Sequence, residues 1–392
     1  MWSLIMSIRF LTAGESHGKG TVVIVEGFPS GLFISSEDIN FELGRRQKGY
    51  GRGGRMQIET DQVEILSGIR KGVTLGSPIT LFVKNRDYEN WEKIMTPDFI
   101  KGSFGNPLQR PRPGHADLSG GIKYNHRDLR NVLERASARE TTVRVAAGAV
   151  AKKFLKNFNI FVQSYVSQLG AAISKKKLVQ YGGLNEKADR SSVRMLEKTA
   201  ERNAISLIDL AKKKGDTLGG IFEVIVTGVP VGLGSHVQWD RKLDGRLAQG
   251  LMSMQAIKGV EIGSGFSNAV QLGSKVHDEI AYQTKKGFFH LTNRAGGIEG
   301  GMSNGEPIVV RVAKKPIATL KKPLRSVDIE TKREIRAAYE RSDVCALPAA
   351  SVIGETICAW IIADAFLEKM GGDFMEEIQQ RYQLYLKHIR NY

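Results

Sequence analysis

Two of the seven histidines lie in loops suited to holding a side chain in place. His17 sits in Gly14-Glu15-Ser16-His17-Gly18, and His115 follows Arg110-Pro111-Arg112-Pro113-Gly114. Imidazole exchanges a proton near neutral pH, and a ring between glycines has little apolar packing to do. Both rings are therefore expected to face a cavity or solvent. Neither shows HExxH-type spacing, so the chemistry they suggest is proton transfer and not metal binding. A lone histidine is more often structural; the rigid Gly/Pro settings are what bring proton chemistry level with that plainer reading.

A second cluster would bind anions. Gly44–Arg55 reads GRRQKGYGRGGR, with Arg45, Arg46, Lys48, Arg52 and Arg55 among its glycines. Guanidinium forks match phosphate and carboxylate oxygens, and glycine lets the chain bend close to a ligand. Asn293–Gly305 is also glycine-rich and is followed by Lys315-Pro316-Ile317-Ala318-Thr319. Freed amides beside Lys315 and Thr319 would suit a phosphate, although a β-hairpin needing positive φ explains the same glycines. Arg130–Thr141 alternates charge in the manner of a solvated helix face. Its small residues Ala136, Ser137 and Ala138, beside Arg135 and Arg139, would also leave room for a ligand.

Two familiar motifs are excluded by context. Gly49, Gly51 and Gly54 match G-x-G-x-x-G, but a helix-like segment precedes them where a dinucleotide site needs a strand. Gly14 to Thr21 has one residue too few between its glycines for a P-loop, and Gly20 separates Lys19 from Thr21.

The chain carries a net charge of +16 over 392 residues, with pI near 9.7, which favours anionic partners. The runs Lys175–Lys177 and Lys212–Lys214 read as solvated helix ends or loops. Cys345 and Cys358 are too few for a disulfide framework or zinc site and are expected in the core, in a reducing compartment. The N-terminal MWSLIMSIRFL lacks a basic leader and cleavage signal, and no window is expected to span a bilayer. These readings predict a cytoplasmic protein with no membrane partner.

These loops must be held by ordered elements. β-Branched runs flanked by Gly or Pro predict strands at Thr21–Val25, Gln57–Ile65, Pro78–Val83, Phe158–Val166, Phe222–Val229 and Pro307–Val312. Helices are predicted at Ser35–Gly44, Asp128–Asn157, Ser191–Lys214, Asp240–Ile257, Thr331–Arg336 and Ala349–Lys369. Val132, Ala136, Val143, Ala147 and Val150 make the apolar stripe of the second. Strands and helices alternate irregularly, which predicts α+β and not a doubly wound sheet. The polar segment 182–189 is the one candidate for an internal break in an otherwise single domain over 1–392.

In order, GESHG, RRQKGYGRGGRM, RPRPGHAD, ERASARET, GSGF, NRAGGIEGGMSNGEP, KKPIATL and RSDVCALPAA resemble the chorismate synthase family, from about Arg9 to Phe366. Each motif alone is modest; the ordered set is specific. The resemblance implies a β-α-β sandwich, with helices between two antiparallel sheets, assembled as a homotetramer. It implies a lyase of the shikimate pathway that eliminates phosphate from 5-enolpyruvylshikimate 3-phosphate to give chorismate, using reduced FMN without net redox change.

The resemblance also implies roles. His17 would protonate the reduced flavin or the departing phosphate, with Ser16 positioning that group. His115 would act near flavin N1, Asp343 would help flavin N5 accept the C6 proton, and Ser137 would join the catalytic set. Arg46, Arg52 and Arg55 would grip substrate anions, with Arg46 and Arg52 also matched to NADP, which matters where a member reduces its own flavin. Flavin contacts would come from Arg135, Ala136, Ser137, Gln255, Ala256, Gly300, Lys315, Pro316, Ile317, Ala318, Thr319 and Arg341. Lys48 replaces a common glycine and Ala318 a common proline. Rival readings are an RNA or DNA binder using the Arg/Gly loop, disfavoured because that loop lies between patterned elements, and a flavoprotein doing net redox chemistry.

Overall fold

The computed structural model describes residues 7–53, 60–99, 107–175, 180–340 and 342–392. Two antiparallel sheets face one another across a layer of helices. The first contains β1 (Arg9–Ala13), β2 (Gly20–Glu26), β3 (Val63–Ser67) and β4 (Ile79–Lys84), ordered β1-β2-β4-β3. The second contains β5 (Phe161–Leu169), β6 (Ala172–Ile173), β7 (Gly220–Thr227), β8 (Ile257–Ile262) and β9 (Ile308–Lys314), ordered β8-β9-β7-β5-β6. Among the described residues, the α-helices of six residues or more are α1 (Ser36–Gln47), α2 (Asp117–Tyr124), α3 (Arg130–Ala136), α4 (Thr141–Lys156), α5 (Leu184–Asp189), α6 (Lys198–Lys214), α7 (Leu243–Met252), α8 (Leu347–Met370) and α9 (Met375–Asn391). The α+β sandwich anticipated from the sequence is the observed architecture.

The strands show why they pair this way. In β4, Ile79, Leu81 and Val83 point into the core while Thr80 and Phe82 lie on the other face, the period of two of a one-sided sheet. Helix α4 packs on this first sheet and on α8; α8 covers β5 and β7 of the second. Contact on both sides leaves α8 almost wholly interior, and its apolar residues run all round it. Close approach to α8 requires glycine at two points. A Cβ on Gly148 of α4 would lie 2.4 Å from Thr356 Cβ, and one on Gly354 would lie 2.4 Å from the Phe222 ring.

One polar cluster crosses this interior. Glu355, in the middle of α8, accepts from Arg45 Nη1 at 2.8 Å, Ser164 Oγ at 2.8 Å and Asn185 Nδ2 at 2.8 Å, and also pairs with Lys152. Burial opposes its charge, but Arg45, Lys152 and Arg194 outweigh that and hold its carboxyl well below the usual range. The segment expected as an internal break is the short helix α5, which feeds Asn185 to Glu355 and Asp189 to Arg45 at 2.8 Å.

Four local expectations are corrected. Asp128–Asn157 is two helices, separated by an extended Ser137 and a 3-10 turn at Ala138–Glu140. Thr331–Arg336 is not helical; Glu334–Arg336 pairs with Arg325–Val327 in a hairpin. In place of one helix over Asp240–Ile257, α7 occupies Leu243–Met252 and Ile257 opens β8. Finally, α8 is long and apolar enough to cross a bilayer, yet its most apolar window is entirely buried inside the protein.

Candidate active site

The break between α3 and α4 turns Ser137 and Ala138 toward a cavity of about 860 Å³. The β1–β2 loop brings Ser16 and His17 to the same space, and the loop before α2 brings His115. Asp343 enters from the segment preceding α8, and Lys314, Lys315, Ile317, Ala318 and Thr319 from the end of β9 and the turn beyond. Gln255, Ala256 and Lys258 complete the wall beside β8. Loops more than 300 residues apart thus converge on one space of the size that holds small organic ligands.

Each histidine is held through Nδ1 by a buried carboxylate. Glu134 Oε1 lies 2.8 Å from His17 Nδ1, and its Oε2 accepts the His17 backbone N–H at 2.7 Å. Trp91 stacks on the His17 ring at 4.0 Å, and the Arg130 guanidinium lies 5.0 Å from the Trp91 ring. Asp117 Oδ1 lies 2.6 Å from His115 Nδ1. Arg112 clamps Asp117 through Nε at 2.8 Å and Nη2 at 3.0 Å, and its Nη1 donates to Thr319 Oγ1 at 2.9 Å. Burial works against both carboxylates, but their hydrogen bonds and cationic neighbours prevail and hold each below the usual carboxyl range.

Asp343 is fixed by the arginine loop. Its Oδ1 accepts the Gly53 N–H at 2.6 Å, and Oδ2 lies 3.4 Å from Arg52 Nη1. Lys314 shares this end of the cavity; it is 8% exposed, and among the described residues its ammonium makes one long hydrogen bond, 3.5 Å to the Lys315 carbonyl. Burial lowers its pKa, more than the nearby Asp343 raises it. Lys315 reaches across to the Gly114 carbonyl, and Ser137 Oγ donates to Ser16 Oγ at 3.0 Å. Gln255 Oε1 is buried with no partner among the described residues, while its amide binds Glu140 at 3.2 Å.

Several expected contacts lie elsewhere. Arg46 does not line the cavity: it is 5% exposed and bonded to Thr141 Oγ1 at 3.0 Å, the Ala138 carbonyl at 3.1 Å and Asp61 at 3.3 Å. Burial lowers its pKa to about 10. Its guanidinium is occupied in holding the α3–α4 turn, so the direct grip on substrate or NADP expected of it is not made by this geometry. Arg52 acts on Asp343, and Arg135 turns back to Thr12 and Gly14. Gly300 lies 3.9 Å (by a notional Cβ) from His236, away from the cavity lining. Pro316 belongs to the same turn as Lys315 but is not in the lining. Arg55 and Arg341 lie outside the described residues.

Sequence reasoning did not single out Trp91, Glu134, Asp117, Lys258 or Lys314. Glu134 and Asp117 were visible inside ERASARET and RPRPGHAD, but which histidine each would meet depends on the fold. Trp91 gave no signal at all.

A profile of the family described as Chorismate synthase matches residues 8–367. The chain belongs to the chorismate synthase family. A chorismate synthase of Aquifex aeolicus is 57% identical to it over 98% of this chain and 99% of its own length. One of Geotalea daltonii is 55% identical over 98% and 100%. Among solved structures, one described as a crystal structure of chorismate synthase superimposes with a TM-score of 0.79 at 47% identity, covering 98% of this chain and 99% of that one. The chain is accordingly a lyase of the shikimate pathway, and of the motifs noted above GESHG, RPRPGHAD, ERASARET, KKPIATL and RSDVCALPAA supply residues to the cavity lining.

Proposed function

We propose that this cavity binds reduced FMN and 5-enolpyruvylshikimate 3-phosphate together and eliminates phosphate from the latter to form chorismate. The observation that carries the reading is the convergence of His17, His115 and Asp343 with cationic side chains on one space. The residues suit the cofactor. Gly114, Ala136, Ala138, Ala256 and Ala318 leave the walls low enough for a flat ring system, and the orphaned Gln255 Oε1 offers an acceptor to a ring N–H. Arg112, Lys258, Lys314 and Lys315 supply positive charge for a ligand set that carries a phosphate and two carboxylates. When bound, a reduced flavin would supply the electron density that assists C–O cleavage.

Within that reading the chain's own groups have separate tasks. His17 gives a proton to the departing phosphate oxygen, and Ser16 and Ser137 orient that oxygen. Asp343 serves the C6 proton, and Arg52 and the Gly53 amide hold it in place. His115 lies across the cavity as the donor toward the cofactor ring. FMN would rest on Ala136, Ser137, Gln255, Ala256 and the turn 315–319. NADPH would act only as an outside source of electrons for the flavin. The reading extends to a cytoplasmic homotetramer; the exposed Phe266, Val270, Leu272 and Ile280, large apolar side chains close in sequence, support self-association.

The experiment is phosphate release measured anaerobically with FMN either reduced or oxidised. Release with chorismate absorbance only when FMN is reduced supports both reaction and cofactor. Equal release with oxidised FMN, or none in either state, removes the proposal.

A further inference from the structure

We infer that Glu134 is the positioning residue that fixes the tautomer and aim of His17, so that the proton available to a ligand is carried at Nε2. The inference rests on the reading of His17 as the group facing the phosphate. An ionised carboxylate only accepts hydrogen bonds. A Glu134 oxygen 2.8 Å from Nδ1 therefore requires the proton on Nδ1, leaving Nε2 as the nitrogen through which the ring exchanges a proton. The second oxygen of Glu134, at 2.7 Å from the His17 backbone N–H, removes rotation about the carboxylate as well.

The surroundings make this arrangement rigid. Glu134 has a side chain 2% exposed, and its carbonyl accepts the Ser16 N–H at 3.1 Å, so the loop and α3 are joined by backbone as well as side chain. Trp91 covers one face of the imidazole, and Trp91 Nε1 is itself tied to Asp87 at 3.2 Å. Arg130 lies 3.5 Å from Glu134 and 3.5 Å from Glu340, which favours the ionised carboxylate. Ser16 and Ser137 provide the neutral polar edge of the same corner. The charged groups near His17 on the described elements include Glu134, Arg130, Glu340 and Asp87. One shared carboxylate sets the loop, the ring plane and the tautomer at once, as a second partner does for a catalytic or metal-bound histidine.

The test compares Glu134→Gln and Glu134→Asp with the full-length parent. Magic-angle-spinning 15N spectra of histidine-labelled protein identify His17 by its loss in His17→Gln. The parent is expected to show His17 with Nδ1 protonated at neutral pH. Glu134→Gln should redistribute the proton between the two ring nitrogens and lower kcat by roughly 10–100-fold, with KM and flavin affinity little changed. Glu134→Asp keeps the charge but shortens the reach; it should recover part of kcat, and it serves as the test if the glutamine variant does not fold. An unaltered His17 signal in both variants overturns the inference, as does an altered signal with unchanged kcat. A His17→Gln enzyme with parental kcat would instead remove His17 from the reaction while leaving the tautomer assignment intact.

Discussion

At the residue scale, the cavity depends on charges that are buried and incompletely neutralised. Lys314 is the clearest case: it is 8% exposed and makes a single long hydrogen bond among the described residues. An amine so placed is costly until an anion enters. Lys314→Met should therefore leave the melting temperature unchanged or raised while weakening binding of FMN or substrate about tenfold or more, the size expected for losing a charge-assisted hydrogen bond. Fluorescence titration of FMN and a thermal melt on the same sample check both halves. His17→Gln and His115→Gln should each lower kcat by about 10²–10⁴, the range for losing a proton-transfer group, without unfolding the protein. Parental rates in a stopped-flow assay would contradict that.

At the element scale, the helix layer is set by contact distances that permit no side chain at Gly148. Gly148→Val would drive a branched side chain into Thr356, whose Cβ lies 2.4 Å from the position of the first added carbon. The expected loss is about 1–3 kcal/mol or more, read from urea unfolding. The start of α1 shows the opposite kind of control, by capping. Ser35 Oγ accepts the Asp38 N–H at 3.3 Å and Asp38 returns a bond to the Ser35 N–H at 3.0 Å. Loss of this box in Ser35→Ala should cost about 0.5–2 kcal/mol without touching the cavity, so kcat should hold while the unfolding midpoint falls.

At the scale of the whole molecule, Glu355 joins α8 to α1, α4, α5 and β5 through charge in an otherwise apolar layer. Its folded carboxyl lies below the ordinary value near about 4, so its contribution is complete above that pH and is lost as pH falls through the lower folded value. Asp117 and Glu134 act with the same sign. The melting temperature should consequently hold from neutral pH to about pH 5 and drop steeply below about pH 4. Glu355→Gln removes a buried carboxylate shared by Arg45, Lys152 and Arg194, and should cost about 3–5 kcal/mol at neutral pH while flattening the acid fall. Differential scanning calorimetry across pH measures both; a variant as stable as the parent at pH 7 would refute the ledger of charges.

Much of this was legible in sequence, for identifiable reasons. Alternation in Ile79–Lys84 and the all-round apolarity of Ala349–Lys369 are local consequences of side-chain type, so strands and core helix emerged from pattern alone. His17, His115 and the Lys315–Thr319 turn were visible because glycine and proline mark unusual backbone, and ordered motifs identified the family. Local pattern misjudged Thr331–Arg336, which pairs as a strand, and it could not see the extended Ser137 that splits α3 from α4. Nor could it see that Arg46, whose ligand role the family resemblance implies, is bonded in the fold to Thr141 and Asp61. The sequence by itself determined the alphabet of the site: two loop histidines, an excess of arginine and lysine, and the elements able to hold them. Only the tertiary structure decided which carboxylate meets which histidine, and which cations remain turned toward the cavity, because hydrogen bonds and burial depend on distances between segments that the chain order leaves undefined.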